Sequence, residues 1–235
     1  MKARLIVIAA VGEEKTKLII GEDNQMPWVL PRDMRFFRTV TEGSTVIMGR
    51  KTFESLNKRA LRNRRNIVIT RQHDYSAPCV EIAHSLEAAL ALVANESDAF
   101  VIGGGELYRL AVPIADHLLV TQIKHKSNNA PLFPVFRGDT FFPNIDEKQW
   151  KCVKTSRWFK ATSARAPSEL LTDRAFTLQF RFLRFDLLSS IGDSKVPAKL
   201  FFGKGRLLNR KNHPSSAQDA FPQDGRPQQL TLLEN

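Results

Sequence analysis

Five short runs rich in valine and isoleucine, at residues 3–11, 45–48, 66–70, 99–102 and 117–123, recur along this chain with helix-like segments between them. Runs this uniformly apolar predict strands of an open, mostly parallel sheet, in which helices cover the faces. An α/β architecture follows. Leu86, Ala89, Leu90 and Val93 fall at i, i+3, i+4 and i+7 behind a Ser85 N-cap, which predicts a surface helix over 85–95. Near residue 180 the period changes. Phe176, Leu178, Phe180 and Phe182 alternate with Thr177, Gln179 and Arg181, as in a half-exposed strand closing one sheet edge. The alternation breaks at Leu183, where a bulge or the strand end is expected.

Asp33 is the only acid in the stretch from Met26 to Phe37. Pro31 suits the first position of a helix, which places Asp33 in the first turn beside an apolar face of Met34 and Phe37. Two readings are open on these residues alone. The carboxylate complements the positive helix terminus, or it joins Met26 and Trp28 at the mouth of a cleft suited to a planar heterocycle with two adjacent N–H groups.

Three further clusters carry chemistry. Gly49-Arg50-Lys51-Thr52 follows a strand and should open a helix, so free N–H groups and two cations form either a phosphate site or a capped, solvated helix end. Gly103-Gly104-Gly105 lies between a strand and the helix-like Glu106 to Leu110, where the missing Cβ atoms permit close backbone approach to a ligand or simply a tight turn. It is not the GxGxxG dinucleotide fingerprint. Arg62, Arg64 and Arg65 form a basic cluster before Asn66, with an exposed surface group as the alternative.

A length of 235 residues permits one large domain or one domain with an appendage. Beyond Asp186 periodicity fades and Gly, Ser, Pro, Asn and Gln become frequent, so residues 187–235 read as a disordered basic tail, with one apolar patch at Leu200-Phe201-Phe202. The tail holds seven Lys/Arg against four Asp/Glu, a minor share of the chain's net +11. That charge suits an anionic partner, yet no RNP-like or zinc-finger pattern accompanies it, and a nucleic-acid role is not expected. Cys79 and Cys152 stand outside any CxxC or histidine cluster, which indicates reduced thiols and no metal. The absence of an 18-residue apolar run or a signal-peptide pattern leads to a cytoplasmic expectation.

Four blocks together resemble dihydrofolate reductase of the monomeric bacterial chromosomal type: Leu5 to Ala10, Ile20 to Trp28, Val46 to Ser55, and Val101 to Tyr108. The resemblance covers residues 1–186 and implies a central sheet of about eight strands, mostly parallel, with the last strand antiparallel. It implies NADPH-dependent reduction of dihydrofolate, with hydride passing from nicotinamide C4 to pterin C6 and a proton to N5. In that family's terms Asp33, Trp28 and Thr121 are the catalytic group. Ile8, Met34, Phe37, Leu61, Arg64 and Ile102 join Asp33 and Thr121 around the substrate, with Arg64 on the glutamate carboxylate. Arg62 stands where the family often has proline, so the choice among the three arginines rests on spacing to Asn66.

The cofactor contacts implied are Ala10, Ile20, Gly21 and Asn24, then Gly49 to Thr52, Thr70 and Arg71, and finally Gly103 to Tyr108, namely Gly103, Gly104, Gly105, Glu106, Leu107 and Tyr108. Arg50 and Arg71 would face the 2′-phosphate, and Gly103-Gly104 would be a cis bond. Residues 13–25 resemble the mobile loop that closes over the ligands, lengthened here, and 125–138 resembles a lengthened connection. Antifolate inhibitors are expected ligands, with Met34 and Phe36 at or behind their site. Two alternatives are a same-fold reductase of the riboflavin pathway, which should lack the Asp33 and Arg64 pair, and a non-catalytic binding protein with a basic tail.

Overall fold

The computed structural model describes residues 3–14, 16–125, 136–163 and 176–190. Most of the expected 125–138 connection and nearly all of the expected 187–235 tail lie outside the described residues. In chain order the elements are β1 (Arg4–Glu14), β2 (Lys17–Gly21), α1 (Pro31–Thr41), β3 (Thr45–Gly49), α2 (Arg50–Ser55), β4 (Arg65–Ile69), β5 (Glu81–Ala83) and α3 (Leu86–Leu92). There follow β6 (Asp98–Val101), α4 (Gly105–Ala111), β7 (His117–His125), β8 (Thr140–Phe142), β9 (Trp150–Thr155), β10 (Phe159–Ser163) and β11 (Phe176–Leu187). All five valine- and isoleucine-rich runs are strands.

Eight strands form one hydrogen-bonded path in the order β10-β11-β7-β1-β6-β3-β4-β5, with β2, β8 and β9 attached beside it. From β7 to β5 every pairing is parallel. β11 is antiparallel to β7, as expected of the last strand.

The position of β1 explains its composition. Leu5, Val7, Ala9 and Val11 face a core shared with Leu86 and Ala89 of α3 and Leu107 and Ala111 of α4. Ile6 and Ile8 face the opposite core, built with Val40 of α1 and Phe53 of α2. A strand between two helical layers has no solvent face, so its hydrophobicity cannot alternate.

Helix α1 begins at Pro31, whose fixed φ and missing N–H suit the first helical position, and it buries Asp33, Met34, Val40 and Thr41. Helix α3 is shorter than the predicted 85–95 segment, ending at a Val93 cap, although the Ser85 hydroxyl accepts from the Ala88 N–H at 3.1 Å as an N-cap should.

Two expectations need correction. β11 does not close the sheet edge, because β10 and β9 both pair along its outer side. Nor does it end at Leu183: the strand runs to Leu187, and the register irregularity against β9 falls between Arg184 and Phe185. Phe180 and Phe182 pack into one core and Leu183 and Phe185 into the opposite one, so alternation is lost where both faces become covered.

Residues 13–25 are also not a loop for most of their length. β1 and β2 form a hairpin with Gly12 opposite Ile19, and β2 pairs onward with β8. Asp23 and Asn24 then adopt φ of 49° and 61° between the reciprocal Glu22 and Gln25 backbone bonds, the left-handed pair of a tight two-residue turn. Among the described residues no helix is long and apolar enough to cross a membrane.

Gly12 has a packing reason to be glycine. A Cβ there would lie 2.7 Å from the Trp28 ring and 2.9 Å from Phe136 Cγ. Gly12→Ala is expected to cost about 1–3 kcal/mol through overpacking. Thermal denaturation should show a melting point lower by several degrees; an unchanged value would mean that the two rings yield freely.

Candidate functional site

Parallel strands all end on the same side, and loops leaving their carboxyl ends gather there. On that side lie the ends of β1, β3, β4 and β6, followed by Gly49, Thr70 and the Gly103 to Gly105 turn. Thr121, on β7, has the parity of Leu119 and Ile123 and so faces α1 rather than α4.

Asp33 is 7% exposed, and its Oδ1 accepts a hydrogen bond from the Thr121 hydroxyl at 2.6 Å. Burial pushes its carboxyl up from 3.8 to about 6, against a smaller downward pull from the Thr121 bond. Among the described residues no cationic partner offsets that burial. The Tyr108 hydroxyl donates to the Ile8 carbonyl at 2.8 Å, tying α4 to β1, and the Tyr108 hydroxyl is raised above its ordinary value by burial and then by the field of Asp33. Ile8 and Leu61 are nearly buried, while Phe37 and Ile102 are half-buried in the same apolar cluster.

Gly103-Gly104 is a cis peptide, and Gly103 has φ of 114°, in the region that favours glycine. The Gly103 carbonyl accepts from the Gly49 N–H at 2.7 Å, which joins the ends of β3 and β6. A Cβ on Gly104 would come within 3.3 Å of Thr52 Oγ1, and one on Gly105 within 3.0 Å of the Phe141 carbonyl. Bare backbone from two adjacent strand ends therefore forms a cradle, with Arg50, Lys51 and Arg71 supplying positive charge. This donor set fits a phosphorylated dinucleotide. Both expected phosphate arginines carry carboxylate partners: Arg50 Nη1 meets both Glu54 oxygens at 2.8 and 2.9 Å, and Arg71 Nη2 lies 3.4 Å from Glu106. Thr70 is buried and its hydroxyl accepts from the Gln72 N–H at 3.2 Å.

The three arginines before Asn66 differ in their surroundings. Arg65 binds Glu81 and Glu96, both at 2.6 Å, and these bonds hold its guanidinium above the ordinary value. Arg62 is exposed. Arg64 donates to Thr41 Oγ1 at 3.1 Å and to the Arg62 carbonyl at 3.0 Å, with its guanidinium 5.9 Å from the Phe37 ring. Burial, then the neighbouring Arg38, lowers its guanidinium from the ordinary value. Arg64 is thus the cation held at the far end of the α1 wall that begins with Asp33. Asn66 braces this turn, bonding the Leu61 N–H and carbonyl, both at 2.9 Å.

The remaining expected residues divide. Met34 is buried, and Ala10 sits half-buried against the cluster that contains Trp28, Leu30 and Phe180. Gly21 and Gly105 both border β8, which brings the β2 hairpin to the glycine turn, whereas Asn24 is exposed at the tip of the 22–25 turn. Ile20 and Leu107 pack with the main core. Trp28, expected to be catalytic, is 0% exposed and stacks edge-on against Phe136 at 5.4 Å, so its side chain shapes the wall behind the cleft. Phe36 likewise turns to Phe182, with ring centroids 4.4 Å apart. Sequence reasoning missed Thr41, Glu54 and Phe136. Only Glu54 carried a readable signal, its i, i+4 spacing from Arg50. Among the described residues no cluster of three or more His, Cys, Asp or Glu could hold a metal ion.

A family model described as dihydrofolate reductase matches residues 4–172. The chain is 46% identical to dihydrofolate reductase of Neisseria meningitidis serogroup A over 148 residues, which span 63% of this chain and 84% of that one. It is 45% identical to dihydrofolate reductase type 3 of Salmonella typhimurium over 150 residues, 64% of this chain and 85% of that one. Among solved structures, dihydrofolate reductase from Enterococcus faecalis complexed with NADP(H) and RAB-propyl aligns with a TM-score of 0.61 and 30% identity, covering 80% of this chain and 98% of that chain.

The raised Asp33 carboxyl has a stability consequence. Its folded value of about 6 exceeds the unfolded 3.8, so the folded state binds the proton more tightly and this group's contribution is lost as pH rises from about 4 to above 6. A difference of this size corresponds to roughly 3 kcal/mol. Asp33→Asn is therefore expected to melt several degrees higher than the unmodified protein at pH 7.5, with the advantage vanishing near pH 4. Melting curves across that range check it, and equal melting points at pH 7.5 would contradict the burial cost.

Proposed function

This chain belongs to the dihydrofolate reductase family, and we propose that Asp33, Thr121 and Arg64 bind and orient its substrate while the Gly103 to Gly105 cradle and the basic residues around Gly49 hold its cofactor. The activity is NADPH-dependent reduction of 7,8-dihydrofolate to 5,6,7,8-tetrahydrofolate, a step of folate metabolism. The single observation that carries the site reading is a buried carboxylate with no cationic partner among the described residues, held by one hydroxyl at 2.6 Å in a largely apolar wall. A buried acid of this kind is costly, and it is compensated when a ligand brings paired N–H donors.

In this reading the pterin lies against Ile8, Phe37 and Ile102, with its amino group and ring nitrogen toward Asp33. Thr121 donates to one carboxylate oxygen, which fixes the plane of the other for the ligand. NADPH held in the cradle would supply the hydride. The chain's own contribution at the reacting end is to align the pterin face, exclude water and favour a proton at N5 through the negative field of Asp33. A carboxyl titrating near 6 is also poised to exchange protons near neutral pH. At the other end Arg64, preoriented by Thr41, receives the glutamate carboxylate. Arg50 and Arg71 discriminate for the 2′-phosphate through charge-assisted hydrogen bonds. Antifolates with a diaminopyrimidine ring would use Asp33 in the same way. A monomeric state and a cytoplasmic location complete the proposal, and sedimentation of the purified chain tests the first.

The Asp33 and Arg64 pair favours this reading over a riboflavin-pathway reductase or a silent binding protein, and an NADPH-oxidation assay with dihydrofolate separates all three. Asp33→Asn and Arg64→Ala are expected to fail differently. The first removes on the order of 2–4 kcal/mol from transition-state stabilisation at neutral pH, with partial recovery in acid, where the substrate arrives protonated. The second raises the KM for dihydrofolate and leaves the reaction of a substrate lacking glutamate almost unchanged. Full activity of Asp33→Asn at pH 7 would remove the carboxylate from the mechanism. For the cofactor, replacing Arg50 and Arg71 together with alanine should shrink the NADPH preference by a few kcal/mol, measured as the ratio of Michaelis constants for NADPH and NADH.

A further inference from the structure

Strand order places β3 between β4 and β6. Adjacent strands lie about 4.8 Å apart, so the ends of β4 and β6 stand roughly 10 Å from each other across the end of β3. Arg71 follows the end of β4, and Glu106 sits in the first turn of α4, just past β6. Their side chains meet at 3.4 Å. The ion pair therefore bridges over the end of β3, where Gly49 and Arg50 open α2 and where the cradle for the cofactor's phosphates begins.

The chemistry of this bridge runs against the site around it. Arg50, Lys51 and Arg71 and the exposed backbone of the glycine turn suit an anion, whereas Glu106 brings a negative charge to the same rim. Its partner Arg71 is the residue that the proposed function gives to the 2′-phosphate. Arg71 and Glu106 are 88% and 76% exposed, so the pair is a solvated strap rather than a buried strut, and parting it is cheap.

We propose that Glu106 tunes cofactor selection: it holds Arg71 across the groove, and a dinucleotide must offer Arg71 a 2′-phosphate to take it from the carboxylate. The inference rests on the reading of Arg71 as a 2′-phosphate contact. A cofactor carrying the 2′-phosphate exchanges one anion for another at Arg71. A cofactor lacking it leaves the strap closed. Glu106 is thus a positioning residue that acts through Arg71. Its own negative charge disfavours both cofactors alike, whereas its grip on Arg71 affects only the phosphorylated one.

The test is the binding of NADP⁺ and NAD⁺ to the full chain by titration calorimetry at low and high salt, with no turnover involved. Glu106→Gln should raise the ratio of NADP⁺ to NAD⁺ affinity by about 2- to 5-fold at low salt, the range of a single exposed ion pair. The rise should shrink at high salt and be absent when Arg71→Ala is also present. An unchanged or lowered ratio overturns the strap, and so does an equal gain for both cofactors or the same rise in the Arg71→Ala background. Arg71→Ala alone separates the two levels. If it leaves the ratio unchanged, the assignment of Arg71 to the 2′-phosphate fails; if it lowers the ratio while Glu106→Gln does not raise it, only the strap fails.

Discussion

The burial of β1 on both faces is the constraint from which the rest of the architecture follows. With Ile6 and Val7 each 0% exposed on opposite sides of one strand, neither face of the sheet can be left to solvent. Helices α1 and α2 cover one side and α3 and α4 the other, and the crossovers between them force β1, β3, β4 and β6 to run parallel. Parallel strands deliver every connecting loop to the same edge. That edge is where Gly49, Thr70 and Gly103 come together, and where α1 starts beside the exit of β1. The location of the site is a consequence of core packing before any residue in it is chosen for chemistry.

Within the candidate site, charged side chains are held by neighbouring side chains of the chain itself. Thr121 holds Asp33, Thr41 holds Arg64, Glu54 holds Arg50 and Glu106 meets Arg71. The restraint matters because a long cationic side chain loses about 2 kcal/mol of rotamer freedom when a ligand must order it. Prior ordering removes part of that cost from binding. The two ends of α1 show how this preorganisation is built. Its first turn presents Asp33 and its last turn presents Thr41, whose hydroxyl also donates to the Phe37 carbonyl at 2.8 Å, so one helix sets the separation between carboxylate and guanidinium. Asp33 is the exception in energy: a neutral hydroxyl only partly offsets its burial, and groups perturbed in this way cluster at functional sites.

Trp28 shows how a residue in a site motif also serves the packing behind it. It lies two residues before Leu30, in the segment that leads into α1, and its ring is enclosed by Gly12, Phe136 and their neighbours. The small residue, the aromatic edge and the hairpin of β1 and β2 fit one another. The segment carrying Asp33 is positioned by that fit, which links the packing at Gly12 to the carboxylate five residues beyond Trp28.

Much of this was written locally. Unbroken valine and isoleucine runs determined the parallel core, Pro31 determined where α1 begins, Ser85 capped α3, and the glycines at 49 and 103–105 marked backbone that must approach something closely. These signals are legible because their causes act within a few residues, through φ restriction, capping and two-sided burial. Other features were decided only by the tertiary structure. β2, β8 and β9 bury few residues each, so their hydrophobic period is too weak to read, and the 13–25 stretch looked like a loop until β8 paired with it. Leu183 broke an alternation that only the second core could explain. The different surroundings of Arg64 and Arg65 depended on Thr41, Glu81 and Glu96, partners 16 to 31 residues away in sequence. The strap between Arg71 and Glu106 depended on strand order. Hydrogen bonds and ion pairs at such separations leave no periodicity in the chain, because the fold, not the spacing, brings their ends within reach.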